Sequence, residues 1–286
     1  MLALQLLVTG LVTGCALGVV SISFSLVYAT TKIFHVAHAG IYTLGGYLAW
    51  SLVVHDVPPL IALLIAMAAC TALGALIQNQ LYARLERRRA THLVVLIASL
   101  GALAVMQNII AAVYTPNILQ FPIAWSSRMV AFGPVRLNYT QILTIVISLA
   151  AYVGTMLFAH RTILGKRIRA VASNPMLADI TRLQPQTVYV YVIGIASALV
   201  CLPGVLVPLD LGLQPYNGVT PLLTATIAMI AGGVGSITGA FVLSVGIAVV
   251  QNLSLLVMPG EWSIGVTFFI FVIFMLFRPT GLFVAR

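Results

Sequence analysis

Apolar runs long enough to cross a bilayer recur along the chain near 3–30, 37–54, 58–80, 92–113, 140–159, 187–207 and 263–278, with a longer stretch over 221–256. A helix needs roughly 20 apolar residues to traverse the hydrocarbon core. Their number and spacing therefore predict repeated crossings rather than a soluble core. The runs are continuously apolar instead of alternating, which selects helices over a barrel. The stretch 221–256 is too long for one crossing, and Gly232-Gly-Val-Gly-Ser236 with Gly239 interrupts it, so it reads as two short helices meeting at a break. The expected fold is an all-α polytopic membrane protein of about eight to nine transmembrane segments, in one transmembrane domain over 1–286. The first run has no basic segment ahead of it and no cleavage-type boundary after it, so it reads as a retained span.

Charge orients these spans. With 61% apolar and 7% charged residues, a net charge of +9 has a membrane meaning, because the basic residues sit mainly between apolar runs. If the N-terminus is outside and 221–256 crosses twice, Lys32, Arg84, Arg87, Arg88, Arg89, Arg161, Lys166, Arg167, Arg169, Arg182, Arg278 and Arg286 are all cytoplasmic. Only Arg128 and Arg136 remain outside, in a connection (114–139) of turn-formers and aromatics including Tyr114, Phe121, Trp125 and Phe132. That asymmetry is what the positive-inside rule expects, and nucleic-acid binding is not. Membrane lipid is the surrounding partner.

One connection is longer than a turn requires. The basic segment Arg161-Thr-Ile-Leu-Gly-Lys-Arg-Ile-Arg-Ala-Val-Ala-Ser-Asn-Pro-Met-Leu-Ala-Asp179 lies in a loop of about 160–187 between two spans. A loop of that length is expected to fold and to dock another protein on the cytoplasmic side.

The inventory of reactive residues points away from an enzyme. There is no phosphate-cradling Gly-x-x-x-x-Gly-Lys-Ser/Thr, no Gly-x-Ser-x-Gly elbow and no His-Glu-x-x-His helix. Asp56, Asp210 and Glu261 fall at span ends, whereas an ion-coupled transporter usually keeps an ionisable group at depth. His35 and His38 share a helix side but lack a third ligand, so no metal site is expected, and a structural or pore-lining role is the default. Cys15, Cys70 and Cys201 read as small packing residues. Polar residues inside spans, among them Ser23, Ser99, Gln107, Asn108, Thr224 and Thr226, should face other helices or a wet cavity. Ser244 and Gln251, seven apart on one face, join His35 and His38 as candidate pathway residues. Gly232, Gly233, Gly235 and Gly239 permit close backbone approach, either between subunits or beside a pathway.

Three blocks together resemble the permease subunits of bacterial branched-chain amino-acid ABC importers, specifically the shorter of the paired permeases. Tyr28-Ala-Thr-Thr-Lys-Ile-Phe-His-Val-Ala-His-Ala-Gly-Ile-Tyr-Thr-Leu-Gly-Gly-Tyr47 is similar to that family's Tyr-Gly-x-x-Arg-x-x-Asn-Phe-Ala-His-Gly-x-x-x-x-Leu-Gly-Ala-Tyr block. The segment from Arg161 resembles its Thr-x-Leu-Gly-x-x-x-Arg-Ala coupling loop. Gly232-Gly-Val-Gly-Ser-Ile-Thr-Gly-Ala240 and Leu276-Phe-Arg-Pro-Thr-Gly-Leu-Phe283 resemble its C-terminal signature. His35 and Ala39 stand where the family has Asn and Gly, and Arg182 stands at a family glycine. The resemblance implies a bacterial inner-membrane permease that pairs with a second homologous permease, two ATP-binding subunits and an extracytoplasmic solute-binding protein. It implies that Gly165, Lys166, Arg167, Arg169, Ala170 and Ala178 serve coupling to the ATPase. ATP and Mg belong to the partner subunits, with no cofactor in this chain. The implied solute is small and polar or zwitterionic: a branched-chain amino acid, or a related amide, urea or organic acid. A sugar-type permease and an ATP-independent uniporter or channel remain open readings.

Overall fold

The computed structural model describes residues 1–123, 126, 128–278 and 281–283; Trp125, Pro279, Thr280 and Arg286, which figure above, lie outside the described residues, as does the Phe132 side chain. The chain runs through α1 (Leu2–Thr31), α2 (His38–Val54) and α3 (Pro59–Ile77), which continues through a π-helical turn (Gln78–Tyr82) into α4 (Ala83–Arg87). Next come α5 (His92–Tyr114), strands β1 (Met129–Phe132) and β2 (Val135–Asn138), and α6 (Tyr139–Arg161). Two short helices, α7 (Ile163–Ser173) and α8 (Pro175–Ile180), precede α9 (Pro185–Leu211), α10 (Val219–Gly232), α11 (Ile237–Ser254) and α12 (Ser263–Phe277). Among the described residues, 7 helical segments are long and apolar enough to span a membrane, and α10 is a shorter apolar helix. The break inside 221–256 falls where the glycines place it.

Burial ranks the helices. In α1 and α9, 67% of the most apolar window is buried, against 22% in α5 and α6, so the former pair forms the centre and the latter its periphery. α1 can occupy the centre because it meets α11 through Gly10 and Gly14: a Cβ there would lie 2.8 Å from Val249 Cα and 2.6 Å from Val245 Cα. Apolar side chains gain nothing by leaving lipid, so helices associate where small residues admit close backbone approach. Pro203 and Pro208 sit inside α9 without ending it, as protein-packed membrane helices allow.

Two connections turn back into the bundle. Ser23 lies eight residues before the end of α1, about 12 Å along its axis, yet it bonds His38, the first residue of α2. The segment 32–37 is therefore folded inward, and α2 starts below the surface. On the other side, the 212–218 segment descends from α9 to Gly218, where a Cβ would collide with the Ala39 carbonyl. The starts of α2 and α10 thus meet inside the protein.

The opposite end is closed by polar contacts. Leu119 and Leu213 exchange backbone hydrogen bonds of 3.1 and 2.8 Å. The Trp50 indole donates to the Gln120 carbonyl, and Asp210 accepts from Asn138 and Gln141 at the start of α6. The antiparallel hairpin β1–β2 turns at Gly133, whose φ of 61° suits glycine. Four residues per strand are too few for alternation to announce such a hairpin in sequence.

Candidate functional site

The end of the bundle where α1 finishes carries Lys32 and the basic residues of α7, together with the start of the first sequence block and the other two blocks. Thr162 caps α7, its hydroxyl accepting from Gly165 N at 3.0 Å. Gly165 then lies on the last turn of α6, where a Cβ would stand 2.7 Å from Ala159 Cα. Any side chain there would lever α7 away. Gly165, Ile168 and Val171 recur every three residues and are buried, so α7 seats one face on the bundle and presents Lys166, Arg167 and Ala170 outward. Asn174 caps α8 with a 3.0 Å bond from Leu177 N, and Pro175 fits its first turn. Ala178 is buried, whereas Met176, Leu177 and Ile180 are 76%, 60% and 72% exposed. Arg182, at the family's glycine position, adopts φ 62° to end the motif. A side chain in that left-handed region carries the usual conformational cost.

Arg169 behaves differently from its neighbours. Its guanidinium turns back to His160 at 3.3 Å and lines a cavity under α6, while Lys166 and Arg167 do not line that cavity.

The glycine block and the C-terminal block meet. Gly233 (φ 104°) and Gly235 (φ 87°) make the turn between α10 and α11, a conformation L-residues rarely adopt. Gly232 and Gly239 face each other backbone to backbone across it. Leu282 N and Phe283 N bond the carbonyls of Ala231 and Gly232, each at 3.0 Å, so the segment 281–283 satisfies the last carbonyls of α10. Gly235 N donates to Ser25 of α1, three residues before the first block. Within this chain, then, Gly232 and Gly239 approach one another and Gly233 approaches the C-terminal segment, while Gly235 meets Ala29 of α1.

His35 and His38 come together, with ring centroids 5.4 Å apart. His35 Nδ1 bonds Tyr82 Oη at 2.6 Å, Tyr82 Oη bonds Ser99 Oγ at 2.8 Å, and Ser99 accepts from Ala37 N. His38 Nε2 lies 2.8 Å from Ser23 Oγ, which is also 2.8 Å from the Val20 carbonyl. This buried network ties α1, the inward segment, the π turn and α5. Tyr82 was not identifiable from sequence: it lies beyond the apolar run 58–80, at the end of the π turn, where it is buried. Ser244 and Gln251 are not brought to the histidines. Ser244 bonds the Ala240 carbonyl of its own helix, while Gln251 reaches the Thr267 hydroxyl and the Ser263 carbonyl of α12. Cys15, Cys70 and Cys201 are free and buried.

A bundle of apolar helices, two of them starting inside it, with an amphipathic helix docked at one end is the architecture of a multi-pass membrane protein. A family model described as a branched-chain amino acid transport system permease component matches residues 6–275, and the chain belongs to that family. It is 28% identical to the high-affinity branched-chain amino acid transport system permease protein BraD of Pseudomonas aeruginosa, over 98% of this chain and 95% of that protein. It is 22% identical to the permease protein LivH of Escherichia coli K12, over 98% and 94%. A chain of PsaBC from Streptococcus pneumoniae in complex with Fab shares the fold, with a TM-score of 0.53 at 14% identity, covering 95% of this chain and 91% of that one.

Proposed function

We propose that this chain is the shorter permease subunit of an ATP-binding-cassette importer in the bacterial inner membrane, paired with a second homologous permease. Two ATPase subunits, which would hold ATP and Mg, dock at its basic, cytoplasmic end. A binding protein delivers a small polar or zwitterionic solute to the opposite end. The relatives' branched-chain amino-acid transport supports that solute class, and the changed residues His35 and Ala39 extend it to related amides, urea or organic acids.

The observation that carries the reading is the α7–α8 pair. A helix locked to the bundle by Gly165, Ile168 and Val171 transmits force. Exposed Lys166, Arg167, Met176, Leu177 and Ile180 offer a mixed basic and apolar surface to a soluble partner. Apolar side chains exposed on a six-residue helix outside the spans are otherwise a liability in water. Rocking of this pair would be passed to α1 and α6, and from there to the cavity between the two permeases. The test is solute-stimulated ATP hydrolysis in the reconstituted complex. Each exposed ion pair is worth about 0–1 kcal/mol, so single changes are mild. Lys166→Glu with Arg167→Glu should weaken ATPase coupling by roughly tenfold while membrane insertion is kept. Stimulation equal to the parent in the double variant refutes the coupling role.

A further inference from the structure

The cavity that receives Arg169 has a volume of about 550 Å³ and lies between the ends of α1 and α6, the inner face of α7 and the start of α11. Its chemistry is one-sided. Lys32 and Arg169 line it with His160, and no carboxylate is among the described lining residues. Lys32 ends α1 in a left-handed conformation, φ 58°. The first turn of α11 adds positive potential: Ser236 spends its side chain on Gly239 N, and Gly235 N is taken by Ser25, which leaves the N–H groups of Ile237 and Thr238 outside those bonds. Two cations and the N-terminal end of an 18-residue helix converge without a counter-charge.

The mouth is apolar. Met156 and Val234 line the same cavity and are 40% and 39% exposed. Met156 lies five residues before the end of α6, about 7.5 Å back along a helix long and apolar enough to span a membrane. A free inorganic anion would use the cations and gain nothing from such a rim. An acidic side chain of a soluble partner would approach from the α7–α8 surface, where Lys166 and Arg167 point, rather than from the side. Basic pockets between membrane helices at the cytoplasmic surface suit phospholipid head groups.

We propose that this cavity binds one anionic phospholipid from the leaflet at the basic end, its phosphate between Lys32 and Arg169 and its acyl chains leaving past Met156 and Val234. The lipid bridges α7 to α1 and α11, so it braces the helix that carries Lys166 and Arg167. Occupancy then sets how stiffly α7 is held.

The full chain in detergent, titrated with phosphatidylglycerol or phosphatidylcholine and observed by native mass spectrometry, tests this. One phosphatidylglycerol should remain bound under activation that strips phosphatidylcholine. Lys32→Gln with Arg169→Gln should lower that retention at least tenfold, and Lys166→Gln with Arg167→Gln should leave it unchanged. Ala172→Phe, which fills the cavity with every charge kept, should lower it as much as the first pair, so the result does not hang on one variant's folding. Excess inorganic phosphate should fail to displace the lipid. Equal retention of the two lipids, equal loss in the Lys166/Arg167 variant, parental binding by Ala172→Phe, or displacement by inorganic phosphate each overturns the proposal. So does displacement of the lipid by the ATPase subunits, which would assign the cavity to protein docking.

Discussion

Replacing Tyr82 with Phe removes one oxygen from a buried site and should cost measurable stability. The hydroxyl bonds both His35 Nδ1 and Ser99 Oγ. Ser99 keeps the Ala37 amide, but His35 loses its bond partner, since its Nε2 has no protein partner. Side-chain hydrogen bonds between membrane helices are worth about 0.6 kcal/mol on average and up to about 1.7 kcal/mol. Two such bonds give about 1–3 kcal/mol, and the stranded imidazole places the value in the upper half of that range. The comparison is Tyr47→Phe: the Tyr47 hydroxyl is equally buried and has no protein partner among the described residues, so its removal should be neutral or slightly stabilising. Both variants keep the aromatic ring, so packing against Tyr114 or His35 is retained. Reversible unfolding in mixed micelles with increasing sodium dodecyl sulfate measures the difference. Equal midpoints for the two variants would refute the view that the histidine network holds the inward segment in place.

Three other outcomes follow from the same contacts. Gly14→Leu should destabilise by about 1–3 kcal/mol or block folding, because its first carbon already meets the α11 backbone; the same unfolding assay reads it. Gln251→Ala should lower stability by about 0.6–1.7 kcal/mol and Ser244→Ala by much less, since only Gln251 bonds another helix. Loss of transport per folded complex in either, with stability unchanged, would instead make them pathway residues. Cysteines introduced beside Arg88 and Lys166 should be labelled by an impermeant reagent only from the cytoplasmic side and one beside Arg128 only from outside; the buried native cysteines will stay silent. Labelling of all three from one side would remove the basis for the proposed orientation.

Much of the architecture is legible in the chain because the bilayer makes a single demand on each segment. Length and continuous apolarity located the spans, and the glycines of 232–239 marked the break between α10 and α11 at the turn that requires positive φ. These are local constraints, imposed by backbone conformation or by solvent, and they act on residues close in sequence.

What only the tertiary structure decided is which polar groups find one another. His35 and Tyr82 are 47 positions apart, yet they meet at the end of the π turn. Arg169 reads in sequence as one of three equivalent cations, yet its position on the inner edge of α7 separates it from Lys166 and Arg167. Ser244 and Gln251 share a helix face by spacing, but the neighbours available to each differ, so one bonds its own helix and the other bonds α12. Side-chain hydrogen bonds reach only about 3 Å, and helix placement is set by close packing of small residues rather than by apolarity. The pattern of apolar runs therefore located the membrane helices, while the continuation of α3 to Arg87, the rotation of each helix about its axis, and with it every long-range polar contact, had to come from the packed structure.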